Sequence, residues 1–265
     1  MISYRTLFNL LVHLDADDDS HTELNPHVFH PSQLGNTCAR QVYLQKLGLV
    51  DIPPGAARVG ALIHDDIQET LPRLATEHAE VLEHLGIDPD HVSELEFEQP
   101  VTADLGGIKL KGRYDLYDPR EDIIVDWKTK TDLAHTHLPI KEDIEQLMLY
   151  IHLRDASAGK LVYIQRTNLD SQAYPPRDGV RHAIDYDENL FKRLIARAWR
   201  VRQVIEKYGI ATSSDEIPFD KCGCWKCSRE EETIDLPDKV PAFKFPPRSS
   251  PPDCIADMEF EEVSI

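Results

Sequence analysis

Asp115, Asp126 and Lys128 are the residues whose types and spacing most directly suggest chemistry. Asp126 and Lys128 interrupt an apolar run, Ile123-Ile124-Val125-Asp126-Trp127-Lys128, which follows the turn-forming stretch Asp118-Pro119-Arg120-Glu121-Asp122. If that turn is centred between Arg120 and Glu121, residues equally far from the centre face each other, and Asp115 meets Asp126. Their Cβ atoms would then lie roughly 5 Å apart. Alternation along the strand puts Lys128 on the same face and turns Trp127 away. Two carboxylates so close repel each other unless a cation lies between them, and oxygen donors suit a hard divalent ion, Mg²⁺ or Mn²⁺. Such an ion polarises a phosphodiester oxygen and acidifies a bound water. Lys128 would either orient that water or stabilise the charge of the pentavalent transition state. His64 offers a neutral ring nitrogen as a further ligand. The alternative is a surface hairpin with a Lys128–Asp salt bridge, but charge inside an apolar strand demands a partner.

The elements that must position these residues follow from periodicity and punctuation. Ser32 reads as the N-cap of a helix with Leu34, Cys38 and Val42 on one stripe, closed by Gly48. After Pro53-Pro54-Gly55 a second helix starts near Ala56, with Val59, Ile63 and Ile67 as its stripe and His64 beside it; a short third helix spans Glu77 to Leu85. Leu95, Phe97 and Val101 then alternate with Glu94, Glu96 and Glu98 as one half-buried strand. Gly106-Gly107 turns the chain into a second strand from Ile108 to Tyr117, and Ile123 to Lys128 is the third. An apolar helix from Pro139 to Arg154 precedes a buried strand at Leu161–Ile164, an edge strand at Val180–Asp185 and a periodic helix from Glu188 to Tyr208. Helix, three antiparallel strands, helix and strand make an α+β core with a mixed sheet.

Among 265 residues, 41% are hydrophobic, which predicts a packed body. No apolar run is long enough to cross a membrane, and the apolar stretch Leu7–Leu14 lacks the flanks of a signal peptide. A cytoplasmic protein with no membrane partner is the expectation. The net charge of −18 opposes a nucleic-acid partner on its face. A metal site needs carboxylates, however, and a local basic strip suffices to hold a phosphate backbone. Arg193, Arg197 and Arg200, at i, i+4 and i+7 of the last helix, are the candidate strip, with Lys192 and Lys207 nearby. So acidic a surface also suits a cytoplasm of high salt, where screening removes self-repulsion. Tyr114 and Trp127 are candidates to stack on bases, with core packing the stronger reading for Trp127.

The five cysteines do not form a disulfide framework. Cys222, Cys224 and Cys227 are crowded together, Cys38 is far upstream, and Cys254 sits in the tail. Crowding of this kind points to a metal or cluster before disulfides.

Gly112-Arg113-Tyr114-Asp115 with Ile124-Val125-Asp126-Trp127-Lys128-Thr129-Lys130 resembles the signature of the PD-(D/E)XK nucleases in their RecB-like form. Gly60-Ala61-Leu62-Ile63-His64 resembles that group's metal-ligand histidine motif, and Gln146-Leu147-Met148-Leu149-Tyr150 its Gln-x3-Tyr motif, whose ends share a helix face. Pro31-Ser32-Gln33-Leu34 running to Cys38-Ala39-Arg40 is similar to the start of the CRISPR-associated RecB-like exonucleases. The resemblance spans about residues 30 to 228. It implies a restriction-endonuclease-like core that hydrolyses DNA, as single strands or duplex ends, in CRISPR adaptation or in recombination and repair. It implies Asp115, Asp126, His64 and the Trp127 carbonyl as ligands of Mg²⁺ or Mn²⁺. Lys128 would then be catalytic, with Gln146 and Tyr150 supporting the site or the DNA. The runner-up is a non-catalytic DNA- or partner-binding subunit.

The same resemblance implies that Cys38, Cys222, Cys224 and Cys227 hold a 4Fe–4S cluster. The run Cys222-Gly223-Cys224-Trp225-Lys226-Cys227 departs from that group's spacing, and four thiolates equally suit tetrahedral Zn²⁺. The domain reading is an N-terminal extension over residues 1–29, a nuclease domain over 30–236 that includes the cysteines, and a Pro-rich acidic tail over 237–265.

Overall fold

The strands form where alternation puts them, but two of them break where a carboxylate must leave the ladder. A computed structural model describes residues 27–35, 38–46, 54–130, 133, 136–165, 180–208, 217–222 and 227. The expected strand through Leu95 and Val101 is two, β2 (Glu96–Phe97) and β3 (Pro100–Leu105); its return is likewise β4 (Ile108–Arg113) and β5 (Leu116–Asp118). Glu98 lies at the first break with φ +50°, left-handed backbone that a side-chain-bearing residue seldom adopts. Its N–H donates to the Asp115 carbonyl at the second break (3.0 Å), so the two interruptions face each other.

Strand β6 (Ile123–Lys130) follows the turn, β7 (Ala158–Gln165) the next helix, and β8 (Val180–Asp185) comes last. The sheet order is β2-β5-β6-β7-β8, with β6 and β7 parallel and the other pairs antiparallel, as a mixed α+β sheet requires. A second sheet has the order β1-β4-β3, with β1 (Val28–Phe29) parallel to β4.

The helices depart from expectation mainly at their ends. The N-terminal helix is two, α1 (Pro31–Leu34) and α2 (Ala39–Lys46). His30 is the N-cap of α1, not Ser32, because Pro31 supplies a preset φ at the first helical position and Ser32 faces out. Helix α3 runs unbroken over Pro54–Glu77, and Ala79–His84 forms a separate α4. A short α5 (Pro89–Glu94) was not foreseen; Asp88 caps it by accepting from the Asp90 N–H at 3.0 Å. Helix α6 (Lys141–Arg154) and helix α7 (Glu188–Tyr208) match their sequence signals. Gly48, Cys224, Cys254, the 1–26 segment and the 237–265 tail lie outside the described residues.

The chain forms two units. Among the described residues, one contains those within 54–101 and 112–186, the other those within 27–46, 102–111 and 187–227. The first is built on the five-stranded sheet, with Ile124, Leu161 and Tyr163 of the sheet packed on Leu147, Tyr150 and Ile151 of α6. Gly159 makes that approach possible: a Cβ there would stand 2.8 Å from the Leu147 side chain. The second unit buries Phe29, Leu110, Tyr43, Phe191, Ile195 and Trp199. Its Arg202, almost fully buried, is paired with Glu206 at 2.8 Å and donates to the Gly107 carbonyl. No described helix is long and apolar enough to cross a membrane.

Candidate active site and cysteine site

The turn fixes the register of the β5–β6 hairpin. Asp118 Oδ1 accepts from the N–H groups of Arg120 (2.9 Å) and Glu121 (3.3 Å), and both its carboxylate oxygens lie within 3.0 Å of His91 Nε2. Leu116 is therefore paired with Val125, Tyr117 with Ile124 and Asp118 with Ile123. One step further, the same register brings Asp115 to Asp126, as the turn centre predicts. Asp115 has left the ladder, and its Oδ2 accepts from the Trp127 N–H at 2.8 Å.

Asp126 is wholly buried. Its Oδ2 is 2.8 Å from Lys128 Nζ, and its Oδ1 has no hydrogen-bond partner among the described residues. Burial pushes its carboxyl up to about 7; the Lys128 charge opposes the shift and Asp115 adds to it. Lys128 donates to Gln146 Oε1 at 3.0 Å. Burial alone would depress Lys128, but the carboxylates of Asp126 and Asp115 outweigh it and raise its pKa. Lys128 is thus a fixed cation. Gln146 and Tyr150 sit one turn apart on α6; Gln146 steadies the lysine, and Tyr150 is buried in the core cluster beside it. Burial, followed by the Asp126 charge, raises the Tyr150 phenol well above its usual range.

His64 reaches the hairpin from α3. Gly60, one turn earlier, lets the helix close on β6, since a Cβ there would be 3.2 Å from Thr129 Oγ1. His64 Nδ1 lies 3.5 Å from Asp115 Oδ1, and its ring meets Trp127 edge-on with centroids 6.2 Å apart. Burial works against the imidazolium, but Asp115 and then Asp126 raise its pKa, a field that favours positive charge at this point. Glu98 joins them: ligand atoms of His64, Glu98 and Asp115 all lie within 4.8 Å of one another. Burial and the Asp115 charge raise the Glu98 carboxyl, and Arg113 Nε, 3.1 Å from Oε2, partly offsets them.

One imidazole and two carboxylates at this separation, with a buried unpartnered oxygen on Asp126, fit a hard divalent cation. Glu98 escaped the sequence reading because alternation assigned it to a solvent face. The visible signal was Pro100, which a continuous central strand does not tolerate.

Other expectations are corrected. Trp127 is half-buried beside His64 and not in the core. Tyr114 is unavailable for base stacking: it is buried, and its hydroxyl donates to Glu96 Oε2 at 2.7 Å. The basic stripe of α7 is not a continuous phosphate-binding face. Arg197 donates to the Leu34 carbonyl at 2.7 Å, closing the end of α1, and Arg200 lies over the Phe219 ring. Arg193 and Arg200 are both exposed, and Arg193 lies 3.9 Å from Asp187.

In the second unit, Cys38 is buried with Cys227, their sulfurs 3.5 Å apart, and Cys222 is 3.9 Å from Cys227. All three belong to one group of potential ligands. Burial pushes the Cys38 thiol up to about 12, with the neighbouring cysteines adding to the shift, so it stays a thiol unless a metal displaces the proton.

Residues 65–230 match the family described as the PD-(D/E)XK nuclease superfamily. No curated protein sequence matches the chain. Among solved structures, the chain is similar to SSO0001 at 20% identity, covering 74% of this chain and 86% of that one, with a TM-score of 0.48. A phage-related exonuclease from Haemophilus somnus is 18% identical over 50% of this chain and 73% of its own, with a TM-score of 0.34. An alkaline exonuclease from Laribacter hongkongensis is 12% identical over 68% and 89%, with a TM-score of 0.41.

Proposed function

Because the chain belongs to the PD-(D/E)XK nuclease superfamily, we propose that it is a divalent-metal-dependent DNA exonuclease with its active site on the β5–β6 hairpin. The observation that carries this reading is the buried Asp126–Lys128 pair beside the His64, Glu98 and Asp115 group. His64, Glu98, Asp115 and Asp126, with the Trp127 carbonyl implied by the family resemblance, would hold Mg²⁺ or Mn²⁺. When bound, that ion supplies Lewis-acid polarisation of a phosphoryl oxygen and a more acidic water. The chain's own contribution is electrostatic. Lys128, kept protonated by two carboxylates and aimed by Gln146, stabilises the negative charge that builds on the phosphorus centre and does not act as the base. The resemblance to the CRISPR-associated exonucleases extends the proposal to DNA ends processed in CRISPR adaptation or in recombination and repair.

The test is digestion of end-labelled single- and double-stranded DNA with Mg²⁺ and with Mn²⁺. Wild type releases nucleotides from ends, and Lys128→Ala cuts the rate by about 10²–10³-fold. Intact DNA with both metals refutes the reading.

Cys38, Cys222 and Cys227, with Cys224, form in this proposal a structural metal site, and the sulfur spacing favours one zinc ion. Thiolates around a single tetrahedral Zn²⁺ stand about 3.8 Å apart, given Zn–S bonds of about 2.3 Å. The 3.5 and 3.9 Å separations bracket that value. In a 4Fe–4S cluster each thiolate binds its own iron and is held farther from the others. Stoichiometric zinc without acid-labile sulfide in anaerobically purified protein is expected; iron with sulfide reinstates the cluster.

A further inference from the structure

The carboxylates of the hairpin raise a difficulty for any phosphate. Glu98 and Asp115 stand together, the Asp115 charge also acts on Asp126, and Lys128 is committed to Asp126 and Gln146. A nucleic-acid strand must bring further negative charge to that place, so it needs another positive group at the mouth of the site.

Two arginines near the hairpin are already committed. Arg120 is clamped by Glu94 and Asp88 at 2.7 Å each, and Arg154 is paired with Glu96 over the Tyr117 ring. Arg113 differs. It is two residues before Asp115 at the end of β4, and its side chain is 65% exposed. Its Nε lies 3.1 Å from Glu98 Oε2, and neither Nη has a hydrogen-bond partner among the described residues. A guanidinium tethered through Nε keeps its outer pair of donors free, and that pair fits two oxygens of one phosphate. The tether is not an ordinary surface carboxylate. Glu98 belongs to the candidate cation group, is itself mostly buried, and is pinned by its left-handed backbone and by its N–H to the Asp115 carbonyl. The arginine is thereby held at a fixed distance from the cation site instead of sweeping solvent.

We propose that Arg113 is a substrate-binding residue that grips a backbone phosphate of the nucleic-acid strand beside the cation site, with Glu98 as the residue that positions it. This rests on the nuclease reading above and names the group that receives the strand. Arg113 has no bond to the reacting atoms in this scheme; it holds the strand in place while Lys128 and the cation act on the phosphorus.

The experiment measures equilibrium binding of a fluorescent single-stranded oligonucleotide at several salt concentrations, in Ca²⁺ to hold the cation site filled. Wild type, Arg113→Gln and Arg113→Lys are compared, with thermal melts to verify folding and Mn²⁺ titration calorimetry as a separate readout. Arg113→Gln is expected to weaken binding about tenfold and to reduce the slope of log K against log salt by about 0.7, the loss of one phosphate contact on a single strand. Mn²⁺ affinity is unchanged, and in digestion assays KM rises while kcat stays within about threefold of wild type. Arg113→Lys keeps the salt slope and loses only part of the affinity, because its charge remains and its fork does not. Glu98→Gln with Arg113 intact weakens both DNA and Mn²⁺ binding.

Wild-type binding with an unaltered slope in Arg113→Gln overturns the assignment, as does a lower melting temperature with DNA binding intact. Wild type that neither binds nor cuts DNA refutes the nuclease reading itself, so the two failures are separable.

Discussion

Asp118 and Asp126 stand at opposite ends of one hairpin, and both are buried. Burial alone would raise the Asp118 carboxyl, but His91 and two turn N–H groups overcome it and hold the pKa below the usual carboxylate range. Asp126 has one cation, a free oxygen and a carboxyl pushed up to about 7. The same residue type is satisfied where it builds the turn and unsatisfied where it awaits a ligand. A buried polar atom without a partner is costly, so its persistence at Asp126 marks the site better than burial or charge does.

The largest test of this contrast is the pair Asp126→Asn and Asp118→Asn. Asp126→Asn is expected to lower nuclease activity by about 10²–10³-fold with the fold retained, since the Gln146 carbonyl still accepts from Lys128. A thermal melt checks retention, because Lys128 loses its ion-pair partner. Asp118→Asn does the reverse. Folding stability falls by about 1–3 kcal/mol as the turn and His91 lose an acceptor, while activity per folded molecule stays within about twofold. Comparable activity losses in both variants would erase the distinction.

A smaller effect follows from pH. A carboxyl depressed in the folded state contributes stability that is present above its unfolded pKa, near 4, and is lost as pH falls through the folded value. The stability gap between wild type and Asp118→Asn should therefore be full at pH 6 and shrink below pH 4 in urea titrations. Asp126 has the opposite sign. Its raised pKa means that the metal-free fold is weakened as pH rises from about 4 toward 7.

The hairpin was legible because its register depends on one turn, and Asp118 secures that turn through local bonds. Alternation then carried Asp115, Asp126 and Lys128 to their places. Glu98 was not legible, since period-two reasoning treats a strand as continuous and this one breaks at Glu98, whose carboxylate joins His64 and Asp115. Arg197 misled for a related reason. Helical spacing shows which residues share a face, but only the fold shows that the Leu34 carbonyl lies within reach of this one. Local periodicity captures elements and registers; long-range hydrogen bonds decide which charged groups are already committed.

Gly60 provides the smallest and most discriminating test, because it acts through neither charge nor hydrogen bonding. Within a helix, alanine is favoured over glycine by about 0.5–1 kcal/mol. Here the added Cβ would stand 3.2 Å from Thr129 Oγ1, close enough that α3 must withdraw by a few tenths of an ångström unless the hydroxyl rotates away. The two effects nearly cancel, so Gly60→Ala should change stability by less than about 1 kcal/mol. His64, one turn along the same helix, moves with it and away from Asp115, now 3.5 Å distant. Mn²⁺ affinity and activity should fall severalfold in a protein of unaltered stability. Thr129→Ala removes the opposing oxygen, and in the double variant affinity should recover, a coupling that a double-mutant cycle reads directly. Recovery would show that α3 carries His64 to the hairpin through this one close approach. An affinity that stays low would place the cause in the helix itself, and the closeness of Gly60 to Thr129 would then be incidental.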